Sequence, residues 1–290
     1  MAGRYVAGAA TALLIALSLA ACEGADQDKA SSSKKPANGG VNVTSAQAAL
    51  AKAADQASDV RSYQGMTSNT VNAPGDRTLI EGTLAYQIAP LAMRYTVPAI
   101  EANGRSTSGY TELIVGDKTY MKMPSLRAKT GKPWVSETLS HLSKSTGLDM
   151  RSMQEGTQRH PGPNTRLLTA SKDVHQIGQE TVAGVLTTHY RGTFHLKDGV
   201  AKLDGTQRTQ FNKSFGGEEG VDAVTFDVWI DGHQMPRKVT IATPPNPKLE
   251  VEQTTTYTAF NVPITVTAPP KDQVADGSGL PDGNRQNIPG

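Results

Sequence analysis

A chain with one cysteine in 290 residues, Cys22, can close no internal disulfide and build no cysteine zinc cluster. An excess of charge of one sign is also missing: 29 Lys plus Arg face 27 Asp plus Glu, a formal net charge of +2. That balance gives no footing for nucleic acid, whose binding rests on a basic surface. Neither a Gly-x-Ser-x-Gly elbow, a Gly-Lys-Ser/Thr phosphate loop, a His-Glu-x-x-His zinc helix nor an EF-hand ligand ladder occurs. The chain is therefore read as not an enzyme, with no cofactor and no metal. Histidines stand at 141, 160, 175, 189, 195 and 233. His189 and His195 share a parity on one strand, but at roughly 3.3 Å per residue they lie about 20 Å apart, too far to chelate one ion. They read as surface histidines. Glu218 and Glu219, adjacent in a glycine loop, would point to opposite faces of a strand rather than form a carboxylate pair.

Long apolar runs are absent beyond the first residues. Val6–Ala21 is small and apolar, preceded by Arg4. It is shorter than the roughly 20 residues that span a bilayer and suits the apolar core of a secretory signal peptide over residues 1–21. The stretch Leu19-Ala20-Ala21-Cys22 resembles the lipobox of bacterial lipoproteins. That resemblance implies a diacylglyceryl, palmitate-type anchor on the Cys22 thiol and places the mature chain on the extracytoplasmic face of the cell membrane. Two or more acyl chains, each contributing about 0.8 kcal/mol per buried methylene, hold a protein there stably. Residues 22–43 are Asp, Lys, Ser, Gly, Pro and Asn with few apolar side chains, and read as a disordered tether with a reach of roughly 25 Å.

The folded part is expected over 44–272, with 273–290 as a flexible C-terminal tail. Thr44 and Gln47 have the capping-box spacing, and "AQAALAKAADQASDV" is rich in strong helix formers. Strands follow. Leu84, Tyr86 and Ile88 alternate with polar or small residues in "GTLAYQI", as do Met93, Tyr95 and Val97 in "AMRYTV". "ELIVGDKTYMKM" reads as a hairpin about Gly116-Asp117. Between Ser125 and Ala170, "ETLSHLSKSTG", "LDMRSMQEG" and "TRLLTAS" read as helical turns and "HPGPN" as a break. Strands resume at Val174–Ile177 and Leu186–Phe194, a polar helix is expected over Asp198–Lys213, and "DAVTFDVWID", "QMPRKVTIA", "KLEVEQTTTYTAF" and "ITVTA" close the sheet. The fold class is α+β: one curved antiparallel half-barrel with helices over its concave face.

The covered face is assigned Leu84, Tyr86, Ile88, Met93, Tyr95, Val97, Leu113, Val115, Met121, Met123, Leu186, Tyr190, Phe194, Val224, Phe226, Val228 and Ile230. An incomplete helical cover leaves a hydrophobic cleft, lined in part by polarizable methionines that suit an acyl chain; a complete cover leaves a dry core. The candidate ligand residues are Leu84, Tyr86, Ile88, Met93, Tyr95, Val97, Met121, Met123, Phe226 and Val228. Trp134 and Trp229, the latter facing away from the cover, read as packing residues on an edge or under a loop rather than as ligand platforms.

"IGQETVAGVLTTHYRG" (Ile177–Gly192), with Gly178, Glu180, Val182, Gly184, Thr187 and Tyr190, resembles a stretch of the actinobacterial LppX/LprG-like lipoproteins. "VWIDGHQMPRKV" resembles their Trp-x-Asp hairpin and "AFNVPITVTAPPKDQV" their closing segment; together the likeness runs over most of Ser45–Val274. This family resembles the LolA and RseB folds, half-barrels whose concave face holds acylated lipids or lipoglycans in the known carriers. The resemblance implies a membrane-anchored envelope lipoprotein that binds a lipid or lipoglycan for transport or presentation. A sensor acting through a protein partner, as the RseB likeness allows, is the alternative, and an unrecognised hydrolase is a distant third.

Overall fold

Short turns set the topology. β1 (Ser62–Ala73) and β2 (Asp76–Gln87) are joined by Pro74-Gly75, β3 (Ala92–Ala102) and β4 (Arg105–Val115) by Asn103-Gly104, and β4 and β5 (Lys118–Lys122) by Gly116-Asp117. β7 (His175–Val182) and β8 (Val185–His195) meet at Ala183-Gly184. Both residues of the Asn103-Gly104 and Ala183-Gly184 turns have positive φ, the hand that matches the twist of antiparallel strands. β6 (Trp134–Thr138), β9 (Ala223–Asp231), β10 (Pro236–Ala242), β11 (Glu250–Phe260) and β12 (Val274–Asp276) complete the sheet. The computed structural model describes residues 43–146, 149–155, 160–215, 223–244 and 249–279, so the leader, Cys22, the Glu218-Glu219 loop and nearly all of the tether lie outside the described residues.

The twelve strands run in the order β12-β6-β5-β4-β3-β2-β1-β11-β10-β9-β8-β7. Two antiparallel meanders are thus joined through the β1–β11 pair, and the sheet curves without closing, β12 and β7 being its two ends. After β11 the chain runs without regular secondary structure through residues 262–270 to the far end of the other meander, where β12 pairs in parallel with β6 (Val274↔Trp134). "ITVTA" therefore forms no strand, and the sheet's last strand lies in what the sequence assigns to the tail. About 13 residues at roughly 3.3 Å each suffice for the crossing of strands spaced about 4.8 Å apart.

Seven α-helices are described: α1 (Val43–Ser58), α2 (Pro124–Thr130), α3 (Leu139–Thr146), α4 (Met150–Glu155), α5 (Pro161–Leu168), α6 (Leu196–Ala201) and α7 (Gly205–Phe215). The alanine stripe of α1 is a packing surface. Ala46, Leu50, Ala53, Ala54 and Ala57 are buried, and small side chains let α5 come so close that a Cβ at Gly162 would stand 2.7 Å from the Ser58 backbone. Arg166 to Asp55 (2.9 Å) and Gln47 Nε2 to the Ser171 carbonyl (2.8 Å) tie α1 further. "HPGPN" proves to be the start of α5 rather than a break: proline suits the first helical position, and His160 Nδ1 accepts from Gly162 N–H at 3.2 Å as the cap.

Register corrects the covered face at two places. The two-residue turn at Gly116-Asp117 pairs Glu112 with Met121 and Leu113 with Tyr120, and β3 pairs Met93 with Ile114 and Val97 with Tyr110. The inward residues of β4 are thus Tyr110, Glu112 and Ile114; Leu113 and Val115 point to the convex side. Leu186, beside the β7–β8 turn, is 61 % exposed rather than covered.

Candidate functional site

The concave floor is a set of cross-strand rows. Tyr63, Tyr86, Met93 and Ile114 form one across β1–β4, and Gly65, Leu84, Tyr95, Glu112 and Met121 the next across β1–β5. On the other side of β11, Tyr190 pairs with Val228, Gly192 with Phe226 and Phe194 with Val224, while Val228 and Phe226 pair with Val239 and Ile241. An aromatic belt crosses the middle: Tyr86 to Tyr63 (5.5 Å between centroids), Tyr63 to Tyr257 (5.2 Å) and Tyr257 to Phe260 (5.3 Å). Tyr95 crosses β2 over Gly82, where a Cβ would lie 2.6 Å from its ring, and bonds Thr67 Oγ1 at 3.0 Å. A glycine there is what leaves room for the ring.

Helices close this floor. Leu50 of α1, Leu139 of α3, Leu167 and Leu168 of α5 and Phe211 of α7 belong to the same buried cluster as the floor residues, with Met150 of α4 packed against it. Asn164 of α5 bonds the Tyr257 hydroxyl, whose ionisation burial pushes well above the usual range. The Tyr86 hydroxyl donates to the Gln154 carbonyl, setting α4 over β2. Of the candidate residues, Met93 and Val228 are 0 % exposed and Tyr86 and Phe226 1 %; Val97, Leu84 and Tyr95 are also buried, and Ile88, Met121 and Met123 half-buried against the core.

Polar groups under this cover are few. Gln154 is wholly buried and neither its Oε1 nor its Nε2 has a hydrogen-bond partner among the described residues; Asn69 Oδ1, on the floor of β1, has none among them either. Glu112 and Thr119 are buried on inward positions of β4 and β5, and Glu137 of β6 meets His141 Nδ1 at 3.1 Å. The inward positions of β1–β6 carry no lysine or arginine.

A cluster of acids and a histidine does exist, on the convex face. His189 is buried, with Nδ1 2.9 Å from Glu180 Oε1 and Nε2 2.5 Å from Asp227 Oδ1, and its ring stacks on Trp229 at 4.2 Å. Trp229 Nε1 donates to Glu180 Oε2, Arg191 Nε to Asp227, and Lys238 Nζ stands 4.3 Å over the indole. The Trp229 N–H, then His189 and Lys238, hold the Glu180 carboxyl below its ordinary value. These groups are bonded to one another on the sheet's outer surface, which makes a cross-strand clasp rather than the cleft a hydrolase needs. His189 is thus a buried residue and not a surface histidine. Trp229 and Trp134, the latter under Lys122 Nζ at 5.7 Å, are packing residues.

Sequence reasoning missed Tyr63 and Tyr257, whose strands are rich in Thr and Asn, and Ile114, Glu112 and Tyr110. For the latter three the signal was present: Met121 was assigned inward, and the two-residue turn then forces Glu112 inward. Gln154 had no signal, since a glutamine in a polar helix gives no sign of burial.

No family model matches the chain. A Streptomyces griseus protein described as an uncharacterized 31.2 kDa protein in the rplA-rplJ intergenic region is 33% identical over 125 residues, 41% of this chain and 41% of that protein. The chain is thus matched to about two fifths of that curated relative's length. Among solved structures it is similar to the Mycobacterium tuberculosis lipoprotein LppX (18% identity, 77% of this chain, 99% of that chain, TM-score 0.45) and to LprF of Mycobacterium bovis (14%, 79%, 99%, 0.48). MucB in the MucA/MucB complex of Pseudomonas aeruginosa is a further match (13%, 79%, 60%, 0.33). LppX, named in the resemblance read from the sequence motifs, is thus among the structures to which the chain is similar.

Proposed function

We propose that this chain is an envelope lipoprotein, anchored through Cys22, that takes the acyl part of a lipid or other amphiphile between its concave sheet and the helices over it. The observation that carries the reading is the mismatch between floor and cover. A floor of Tyr, Met, Ile, Leu, Val and Phe runs the width of an unclosed sheet, while α3 and α4 are short, and α4 brings the unbonded Gln154 against it. An unbonded buried amide costs about 1–3 kcal/mol, so this part of the cover is held less firmly than α1 and α5. The closed floor is the empty state, and lifting α4 admits the chain.

Native mass spectrometry with organic extraction tests this on the full chain secreted by an actinobacterial host. A discrete added mass that extracts as an acylated species, and is lost in Met93→Asp or Phe226→Asp, is expected. A bare protein mass in the presence of native envelope lipids refutes it. Cys22→Ala is expected to move the chain from the membrane fraction to the soluble one.

A second reading, a regulatory module that acts through a protein partner, is favoured by the completeness of the packing at Met93, Val228, Tyr86 and Phe226. It predicts crosslinking to a partner at the open edge strand β7, where Ile177 is 46 % exposed, and no copurified lipid.

A further inference from the structure

Gln154 lies at the centre of the candidate site, and neither the fold nor the resemblance assigns it a task. Most buried side-chain polar atoms in folded proteins have a partner, and one that lacks it calls for an explanation. Gln154 is 0 % exposed with both side-chain amide atoms unbonded among the described residues, although its own backbone carbonyl is bonded to the Tyr86 hydroxyl. Position is therefore fixed while the side chain's donor and acceptor remain unspent. Asn69 Oδ1, a second unspent acceptor, is buried on the same concave face.

The charge of the floor sets what such groups can meet. From β1 to β6 the inward positions supply Thr67, Asn69, Thr119 and the carboxyls of Glu112 and Glu137, and no lysine or arginine. A phosphate drawn onto this part of the floor would lose its hydration, find no cation among the inward positions of β1–β6 and approach carboxyls. An ester, amide or hydroxyl would lose far less, and a primary amide can both donate to and accept from it.

We infer that Gln154 is the polar contact for the uncharged head or linkage of a bound amphiphile, an ester, amide or hydroxyl group, and that the site selects neutral over anionic amphiphiles. This rests on the lipid-binding reading above and adds to it a chemical class and a selecting residue.

The test uses the full chain with vesicles containing dipalmitoylglycerol or dipalmitoylphosphatidic acid, read by native mass spectrometry of the recovered protein. Wild type is expected to retain dipalmitoylglycerol at least about tenfold better than the phosphatidic acid, the factor that one lost hydrogen bond with a buried partner corresponds to. Gln154→Leu, and Gln154→Met as a second variant of matching length, are expected to retain dipalmitoylglycerol about tenfold less well. Their unfolding midpoints should equal or exceed the wild type's, because an unbonded buried amide has been removed. Variants that retain dipalmitoylglycerol like wild type overturn this inference and leave the lipid-binding reading standing, as does equal retention of the phosphatidic acid. Variants that unfold earlier overturn it too, since the amide would then serve the fold. Wild type that retains neither amphiphile overturns the inference and the lipid-binding reading together.

Discussion

His160 makes the stability of the helical cover depend on pH, with a sign and size the structure supplies. The imidazole caps α5 by accepting Gly162 N–H at Nδ1, a bond that requires the neutral ring. Burial, and then the positive charge of Arg61, lower its value from 6.5 to about 4. Between those values the unfolded chain binds a proton that the native chain refuses, so the contribution is whole above pH 6.5 and is lost as the medium is acidified toward pH 4. At 1.36 kcal/mol per unit, moving from neutral to pH 5 removes about 2 kcal/mol through this group. Other titrating groups act over the same range, so the comparison is with His160→Asn, which keeps a capping acceptor and cannot titrate there. Urea unfolding followed by tryptophan fluorescence at pH 7 and pH 5 should show wild type losing about 2 kcal/mol more than the variant. Parallel losses, within about 0.5 kcal/mol, would show that protonation of His160 does not oppose the fold and that the cap is no source of acid sensitivity.

Three further substitutions test the packing. Gly162→Ala gains about 1 kcal/mol of helix propensity but drives a Cβ into the Ser58 backbone at 2.7 Å, and overpacking of about 2–3 kcal/mol outweighs it; a net loss of about 1–2 kcal/mol in urea is expected. Ala183 has φ 47°, a left-handed conformation costly for alanine, so Ala183→Asn, giving an Asn-Gly turn, should raise stability by about 0.5–1 kcal/mol in the same assay. Asp231 is buried, accepts His233 N–H and Met235 N–H, and meets Arg237 Nε at 2.6 Å; Asp231→Ala should cost about 3 kcal/mol by leaving the Arg237 charge and the turn amides without it.

The half-barrel was legible because alternation survives in β2, β3, β8 and β9, where Leu84/Tyr86, Met93/Tyr95/Val97, Tyr190/Phe194 and Val224/Phe226/Val228/Ile230 all face inward as read. It failed where both phases are apolar: Leu113-Ile114-Val115 offers no parity, and Leu113 is buried on the convex side. β1 went unread because "SYQGMTSNTVNA" has little apolar signal, its inward Thr67 and Asn69 being polar. The proline-rich α5 was hidden because proline marks a break in a window but a start when a cap precedes it. For the candidate site, the apolar floor was legible and its degree of closure was not, since closure depends on where short helices settle rather than on any periodicity.

A closed floor bears on what can open it. If lifting α4 bares about four apolar side chains, Tyr86 and Met150 among them, the uncovering costs about 6–12 kcal/mol at about 1.5–3 kcal/mol for each. An acyl chain returns about 0.8 kcal/mol per buried methylene, so eight carbons offset about 6 kcal/mol and sixteen about 13. If α4 is the part that moves, this cost is a fixed penalty, so each methylene adds the same increment but the chain length at which retention sets in moves upward. In a series of monoacylglycerols from eight to sixteen carbons, read by native mass spectrometry, retention should be negligible at the short end and set in at intermediate length. Retention already at eight carbons would instead mean that a cleft is open, and that the packing of Met93 and Val228 imposes no opening cost.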